Sequence, residues 1–214
     1  MMLSMLQRSA LEALGTAFLA FTIGRVGSSD LNGFEQAMAI GLCLTLLIHV
    51  IGRFSGAHFN PGVTVLLTIQ RYRQQAFRSA ESWLEAGSYI TAQIIGALIG
   101  FALTPAASSG TAFALDGLIP EALFSLAFFA LILRWSAEGR ICPFAQPLSG
   151  IVIGFGLGFL ALVGGLTQSG IYNPAVAIGL ASRGMDGVVM AIVGQFVAVV
   201  ALVLLIRAPQ ASAD

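Results

Sequence analysis

Six long apolar segments restrict this chain to a fold that crosses a lipid bilayer. The hydrocarbon core is about 30 Å thick, and a helix that rises about 1.5 Å per residue needs about 20 residues to cross it. Only 9% of the 214 residues are charged, against about 25% in soluble domains. The composition therefore predicts one all-α membrane domain over residues 1–214. The predicted spans are Met5–Val26, Phe34–Arg53, Ser82–Leu103, Leu118–Trp135, Pro147–Leu166 and Gly187–Ile206.

Two further apolar segments, Pro61–Gln70 and Pro174–Ala181, are too short to cross the bilayer. At about 1.5 Å per residue, each reaches only about half of the hydrocarbon thickness. Each segment follows an asparagine, Asn60 or Asn173, and begins with proline. Proline suits the first position of a helix because the N–H that it lacks would be unpaired there. The pattern predicts two re-entrant half-helices that begin in the middle of the membrane.

The two halves of the chain, residues 1–105 and 106–214, repeat the same features in the same order. The matching pairs are Glu12 with Glu121, Phe59 with Tyr172, Asn60 with Asn173, and Gln93 with Gln195. Because each half contains three spans, the second half must enter the bilayer from the opposite side. This arrangement is an inverted repeat, in which broken helices meet near the midplane.

Arginine sets the predicted orientation, since the sequence contains no lysine. With a cytoplasmic N-terminus, eight arginines lie inside and only Arg25 and Arg183 lie outside, which is a strong positive-inside bias. The eight are Arg8, Arg53, Arg71, Arg73, Arg78, Arg134, Arg140 and Arg207. The linker Thr104–Gly117 has no basic residue and fits the outside. Both termini are therefore expected in the cytoplasm.

The half-helix N-termini are expected to face each other at the midplane, where each carries about half a positive charge. Non-helical backbone at this depth is tolerated where it lines a watery cavity. The loops Phe54–Phe59 and Thr167–Tyr172 should therefore line a pore with their carbonyl groups. Asn60 and Asn173 should cap the half-helices and donate amide N–H groups to a passing oxygen. The positive helix ends would repel cations, while small neutral molecules pass.

Three ionisable residues need partners in this arrangement. A carboxylate within a membrane span must find hydrogen-bond donors, and the N–H groups of the two loops are the natural donors for Glu12 and Glu121, one per loop. Two alternatives stay open for these glutamates. Each carboxylate could reach water from the end of its span, or it could take part in proton coupling. His58 is expected to structure the first loop near the cytoplasmic mouth, with gating or pH sensing as an alternative.

The segment Ser55–Thr64 reads SGAHFNPGVT, and the second motif is Asn173-Pro174-Ala175. With the paired glutamates and glutamines, these motifs resemble the aquaporin and glycerol-facilitator family over the whole chain. The resemblance implies passive conduction of water or small uncharged solutes. It also implies a homotetramer with one pore per subunit in a plasma membrane, here a bacterial inner membrane. Surrounding lipid and the permeating solutes are the expected partners.

The sequence departs from the family pattern at two positions. The first motif reads Asn60-Pro61-Gly62, with glycine where alanine is usual, and Val176 stands where family members usually carry arginine. Matching the spans back from the two asparagines predicts a selectivity ring without charge or donor side chains. This four-residue ring consists of Ile40, Ala161, Gly170 and Val176. Packing against lipid or the protein core is the alternative for Ile40 and Val176.

An apolar, wide ring favours bulky neutral solutes such as glycerol-like polyols. In having valine at position 176, the chain resembles a bacterial subclass associated with arsenic handling, which implies neutral metalloids such as arsenite, or methylated arsenicals, as candidate solutes.

Other function classes receive little support from the sequence. The two cysteines and two histidines have no metal-ligand spacing, so neither a metal nor another cofactor is expected. The sequence shows no nucleophile–base pair that would indicate an enzyme. The net charge is zero, which gives no reason to expect nucleic acid. Three alternative functions stay open. They are an ordinary water-selective channel, an ion-coupled secondary transporter with broken helices, and a non-conducting structural or sensory membrane protein.

Overall fold

The computed structural model describes residues 3–73, 80–105, 117–136, 145–166 and 170–205, and these ranges contain eight α-helices and no strand. Six helices are long and apolar enough to cross a membrane, so the predicted all-α membrane fold is confirmed. The helices are α1 Met5–Gly27, α2 Gly33–Ser55, α3 Pro61–Arg73, α4 Ala80–Ala102, α5 Leu118–Ser136, α6 Ala145–Gly165, α7 Pro174–Ala181 and α8 Val188–Leu205.

The predicted spans agree with the long helices to within two residues at each end, and α7 has the predicted bounds. The half-helix α3 is longer than predicted, because it continues past Gln70 to Arg73. Arg71 and Arg73 lie in its last turn, where a positive charge interacts favourably with the negative end of the helix dipole.

The predicted start of the first loop at Phe54 is wrong, because α2 continues through Ser55. The helix ends before Gly56, which has a φ of 94°. This left-handed backbone conformation is favourable for glycine and costs energy for other residues. The first loop is therefore the short segment 56–60. Several predicted features lie outside the described residues. They are most of the linker at 104–117, the start of the second loop at 167–169, and the arginines Arg78, Arg140 and Arg207.

The long helices pack closely through glycines. Helix α1 lies against α4, and α2 lies against α6. A Cβ on Gly41 would come within 2.6 Å of the Gly154 carbonyl oxygen, and one on Gly96 would overlap the Ala13 carbonyl oxygen. Interfaces of small residues let helix backbones approach in a membrane, where no hydrophobic force drives helices together.

The two half-helices lie inside this bundle rather than at its surface. Both α3 and α7 contact α4 and α8, and seven residues of α3 are buried. Large apolar side chains point outward instead, as at Leu6, Leu84 and Leu204. Charged and amide side chains such as Glu12, Gln93 and Glu121 are fully buried while these large apolar residues are exposed, as a lipid environment demands. The protein is therefore a multi-pass membrane protein.

Candidate pore at the junction of the half-helices

Each asparagine of the two Asn-Pro turns caps its half-helix. The Oδ1 atom of Asn60 accepts a hydrogen bond from the Gly62 N–H at 2.8 Å. The Oδ1 atom of Asn173 accepts one from the Ala175 N–H at 3.0 Å. A side-chain oxygen at this position satisfies backbone donors that have no partner within the helix. The proline that follows each asparagine occupies the first helical position and lacks such a donor.

The same two side chains tie the turns to each other across the centre of the molecule. The Nδ2 atom of Asn60 donates to the Tyr172 carbonyl at 2.7 Å, and that of Asn173 donates to the Phe59 carbonyl at 2.8 Å. Phe59 and Tyr172 have φ values of 49° and 50°. These left-handed conformations are uncommon for bulky residues. An amide group carries two N–H donors, so each asparagine keeps a second one beyond this bond.

The Glu12 carboxylate is fully buried and accepts four hydrogen bonds. Its Oε1 atom accepts from the Ser55 hydroxyl at 2.7 Å and from the His58 N–H at 3.1 Å. Its Oε2 atom accepts from the Phe59 N–H at 2.6 Å and from the Gln93 amide at 2.9 Å. Two of these donors are backbone groups of the first loop. The carboxylate therefore holds the loop from behind, through α1.

Glu121 has the same arrangement in the second half. Its Oε2 atom accepts from the N–H groups of Gly170 at 2.9 Å and Ile171 at 3.3 Å. Its Oε1 atom accepts from the Tyr172 N–H at 2.7 Å and the Gln195 amide at 2.6 Å. Each buried carboxylate thus meets the backbone donors of the loop in its own half, as a charged group in the membrane must.

The polar network behind the two loops is not symmetric. In the first half, the Gln93 amide donates to the Thr64 hydroxyl at 3.0 Å, and His58 Nδ1 lies 3.2 Å from the same oxygen. In the second half, the residue that corresponds to Thr64 is Ala177, which has no hydroxyl. The Oε1 atom of Gln195 is buried and has no partner among the described residues. His58 is buried within this network, which favours its structural interpretation.

A cavity of about 370 Å³ passes the two asparagines. All four ring residues line it, as do His58, Asn60 and Asn173. It also reaches Arg53 near the other end of α2. Ile40 and Arg53 are 13 positions apart on this helix, so the cavity extends along about 20 Å of it. The cavity therefore covers about two thirds of the hydrocarbon thickness.

The electrostatics of this cavity disfavour cations. The described lining contains Arg53 and no acidic side chain, and the positive ends of α3 and α7 meet at its middle. Within the ranges that the structure covers, no group of three histidine, cysteine or acidic residues could hold a metal ion. The cavity can therefore present hydrogen-bond donors and apolar walls to an uncharged solute molecule.

The match to known proteins agrees with this geometry. The model of the major intrinsic protein family matches residues 2–182 of the chain. The chain belongs to the major intrinsic protein family.

Individual members of the family are similar over most of the chain. Nodulin-26 of Glycine max is 29% identical over 81% of the chain, and this alignment covers 66% of that protein. Glycerol uptake facilitator protein-like 6 of Lactiplantibacillus plantarum is 31% identical over 78% of the chain and 80% of its own length. Aquaporin-8 of Notomys alexis is 32% identical over 81% of the chain and 70% of its own length. The chain spans just under two thirds of the length of nodulin-26.

Two buried tyrosine side chains of this major intrinsic protein were not among the predicted site residues. The Tyr172 hydroxyl donates to the Leu160 carbonyl on α6 at 2.8 Å. The Tyr89 hydroxyl donates to the Ser55 carbonyl at the end of α2 at 2.7 Å. Tyr172 directly precedes the second Asn-Pro turn, which is a signal for a site residue. Tyr89 has no such signal, since only the packing of α4 brings it to α2.

Proposed function

We propose that this protein is a passive membrane channel for small uncharged solutes, with its pore along the cavity that passes Asn60 and Asn173. The observation that carries the proposal is that one cavity connects the four-residue ring with the Arg53 end of α2 and has no acidic side chain among its described lining residues. A solute oxygen would accept a hydrogen bond from the free N–H of each asparagine at the midplane. The helix ends and Arg53 would exclude cations.

The proposed solutes are larger than water alone. Val176 and Ala161 are short apolar side chains, and Gly170 has none, so the ring leaves room for glycerol-like polyols and neutral metalloids such as arsenite or methylated arsenicals. Water passes as well in this proposal. The names of two relatives support a polyol route, since one is a glycerol uptake facilitator-like protein and another is an aquaglyceroporin.

We further propose a homotetramer with one pore per subunit, and no catalytic activity. The channel would lie in a bacterial inner membrane with both termini in the cytoplasm. The arginines at Arg8, Arg53, Arg71, Arg73 and Arg134 support this orientation by the positive-inside rule. The domain division into one channel domain with halves 1–105 and 106–214 is part of the same proposal.

The substitution Val176→Arg tests the wide ring. Val176 is buried in the first turn of α7 and lines the cavity, so a long cationic side chain there would narrow the ring. We expect glycerol flux into proteoliposomes, measured by light scattering, to fall by about tenfold or more, which is about 1.4 kcal/mol in barrier height. Val176→Ala, which keeps the ring wide and uncharged, is the matched control and should retain glycerol flux.

Other outcomes would decide against parts of the proposal. Glycerol flux that is unchanged by Val176→Arg would show that the ring is not the size filter. Flux that saturates and depends on an ion gradient would favour the secondary transporter. Water flux without glycerol or arsenite flux in the unmodified protein would favour a water-selective channel. Vesicles that conduct none of these solutes would favour the non-conducting alternative.

A further inference from the structure

We infer that Tyr172 is a positioning residue of the pore, whose hydroxyl fixes the α6 wall of the four-residue ring and thereby sets its size limit. The inference rests on the proposed function. The ring has no polar side chain of its own, so any hydrogen bond that positions its walls must come from a neighbouring residue.

Tyr172 lines the cavity, and the contacts of its hydroxyl place that group beside two members of the ring. It donates to the carbonyl of Leu160 at 2.8 Å, and Leu160 directly precedes the ring residue Ala161. A Cβ on Gly170 would lie 3.8 Å from the phenol oxygen and 3.8 Å from the Ala161 carbonyl. One hydroxyl therefore adjoins the two ring members that have the least side chain.

Tyr172 is itself held firmly at its backbone. Its N–H donates to Glu121, its carbonyl accepts from Asn60, and its aromatic ring packs edge-on against Phe124 with 6.2 Å between centroids. The side chain is fully buried. A side chain anchored at the midplane thus reaches α6 and ties the ring wall to the second half-helix turn.

Helix α6 packs closely against α2 before Ala161 but not after it. A Cβ on Gly158 would lie 2.9 Å from the Ala37 carbonyl oxygen, whereas nothing lies within 4 Å of the Cβ position of Gly165. Gly158, Gly164 and Gly165 flank Ala161 within four residues, and glycine contributes no side chain to fix a helix against its neighbours. The hydroxyl bond from Tyr172 is therefore a specific restraint on the position of this wall. Its loss should let α6 move outward, because a part-buried carbonyl that has lost its second hydrogen-bond partner is stabilised by reaching water.

The first half supplies a matched control in Tyr89. This side chain is also buried, and its hydroxyl also donates to a helix carbonyl, that of Ser55 at 2.7 Å. Ser55 lies 15 positions from Ile40 on α2, about 22 Å along the helix. Tyr89→Phe and Tyr172→Phe remove the same atom, but only the second change is made at the ring.

The experiment measures the permeability of proteoliposomes to glycerol and to the four-carbon polyol erythritol. The ratio of the two permeabilities does not depend on how much protein each preparation contains. We expect Tyr172→Phe to raise the erythritol-to-glycerol ratio by about threefold or more, the order expected for one lost hydrogen bond, and Tyr89→Phe to leave it unchanged. An unchanged ratio in Tyr172→Phe, or the same shift in both variants, would overturn the inference.

A conservative replacement covers the case in which Tyr172→Phe does not fold. The unnatural residue 4-aminophenylalanine at position 172 keeps a donor at the same place, so the ratio of the unmodified protein should be retained. A raised ratio in this variant would overturn the inference. The proposed function fails separately, if the unmodified protein conducts no glycerol. The inference alone fails if glycerol passes but the ratio does not respond to Tyr172→Phe.

Discussion

At the residue scale, the two buried glutamates show how a charge is accommodated at membrane depth. Each of Glu12 and Glu121 accepts four hydrogen bonds, two or three of them from loop backbone. Hydrogen bonds to a charged group contribute about 1.5–3 kcal/mol each. A carboxylate suits these positions because all of the surrounding groups donate and it only accepts.

The substitution Glu12→Gln should therefore destabilise the protein although it keeps the shape of the side chain. The new amide NH₂ group would face a donor pair, either Ser55 with His58 or Phe59 with Gln93. We expect a loss of about 2–4 kcal/mol, since all four hydrogen bonds lose their charged acceptor and at least one N–H donor then faces the new NH₂ group. The measurement is the thermal unfolding temperature of the detergent-solubilised protein.

Glu35→Gln is the matched control for this change. Glu35 is exposed, and its Oε2 atom accepts from the Asn32 N–H at 2.9 Å in the capping box of α2. Glutamine serves in a capping box as well as glutamate does, so the unfolding temperature should change little. Equal effects of the two substitutions would show that the four bonds to Glu12 do not determine stability.

At the element scale, glycine decides how close the spanning helices come to one another. The side of α4 that faces α1 carries Gly96 and Gly100, and a Cβ on either would overlap an α1 carbonyl oxygen. Gly87 on the same helix is exposed, with nothing within 4 Å of its Cβ position. The helix thus contains both a glycine required by packing and one that packing does not require.

The pair Gly96→Ala and Gly87→Ala tests this distinction within one helix. We expect Gly96→Ala to lower stability by about 1–3 kcal/mol, because the α1 backbone would have to move. Gly87→Ala should raise stability by up to about 1 kcal/mol, since alanine favours the helix. Thermal unfolding in detergent measures both. If Gly96→Ala is neutral or stabilising, the α1–α4 interface is not limited by this contact.

At the scale of the whole molecule, the fold places two positive helix ends at the centre of a cavity whose described lining has no negative charge. Neither half of the chain could form this site alone. Each asparagine donates to the carbonyl of the opposite turn, so the two halves complete each other's loop. The charge distribution of the proposed channel is therefore a property of the assembled pair.

This charge distribution predicts that proton permeability stays low while neutral solutes pass. Proteoliposomes should show no proton flux above that of protein-free vesicles when a pH-sensitive dye is enclosed and a potential is imposed, because the helix ends and Arg53 repel cations. Gramicidin-treated vesicles confirm that the dye responds. Proton flux that depends on the protein would contradict this account and favour proton coupling through a buried glutamate.

Much of the architecture could be read from the chain because its determinants are local. Segment length and apolarity predicted the six spans, and the Asn-Pro turns predicted both half-helices. The exact end of the first loop could not be predicted, since α2 could continue until Gly56 adopted a left-handed conformation. The length of α3 was also underestimated, because arginine residues favour a helix C-terminus as well as a loop.

By itself the sequence determined the number of membrane helices, the two half-helices and the positions of the buried carboxylates and the two capping asparagines, and it predicts the inverted repeat. These properties follow from helix rise, bilayer thickness and the cost of an unpaired polar group. Only the tertiary structure decided which donor each carboxylate meets, how the turns bond across the centre, and that Tyr172 reaches α6. Such contacts join residues from 12 to 114 positions apart, and a linear pattern does not encode which distant backbone groups will meet.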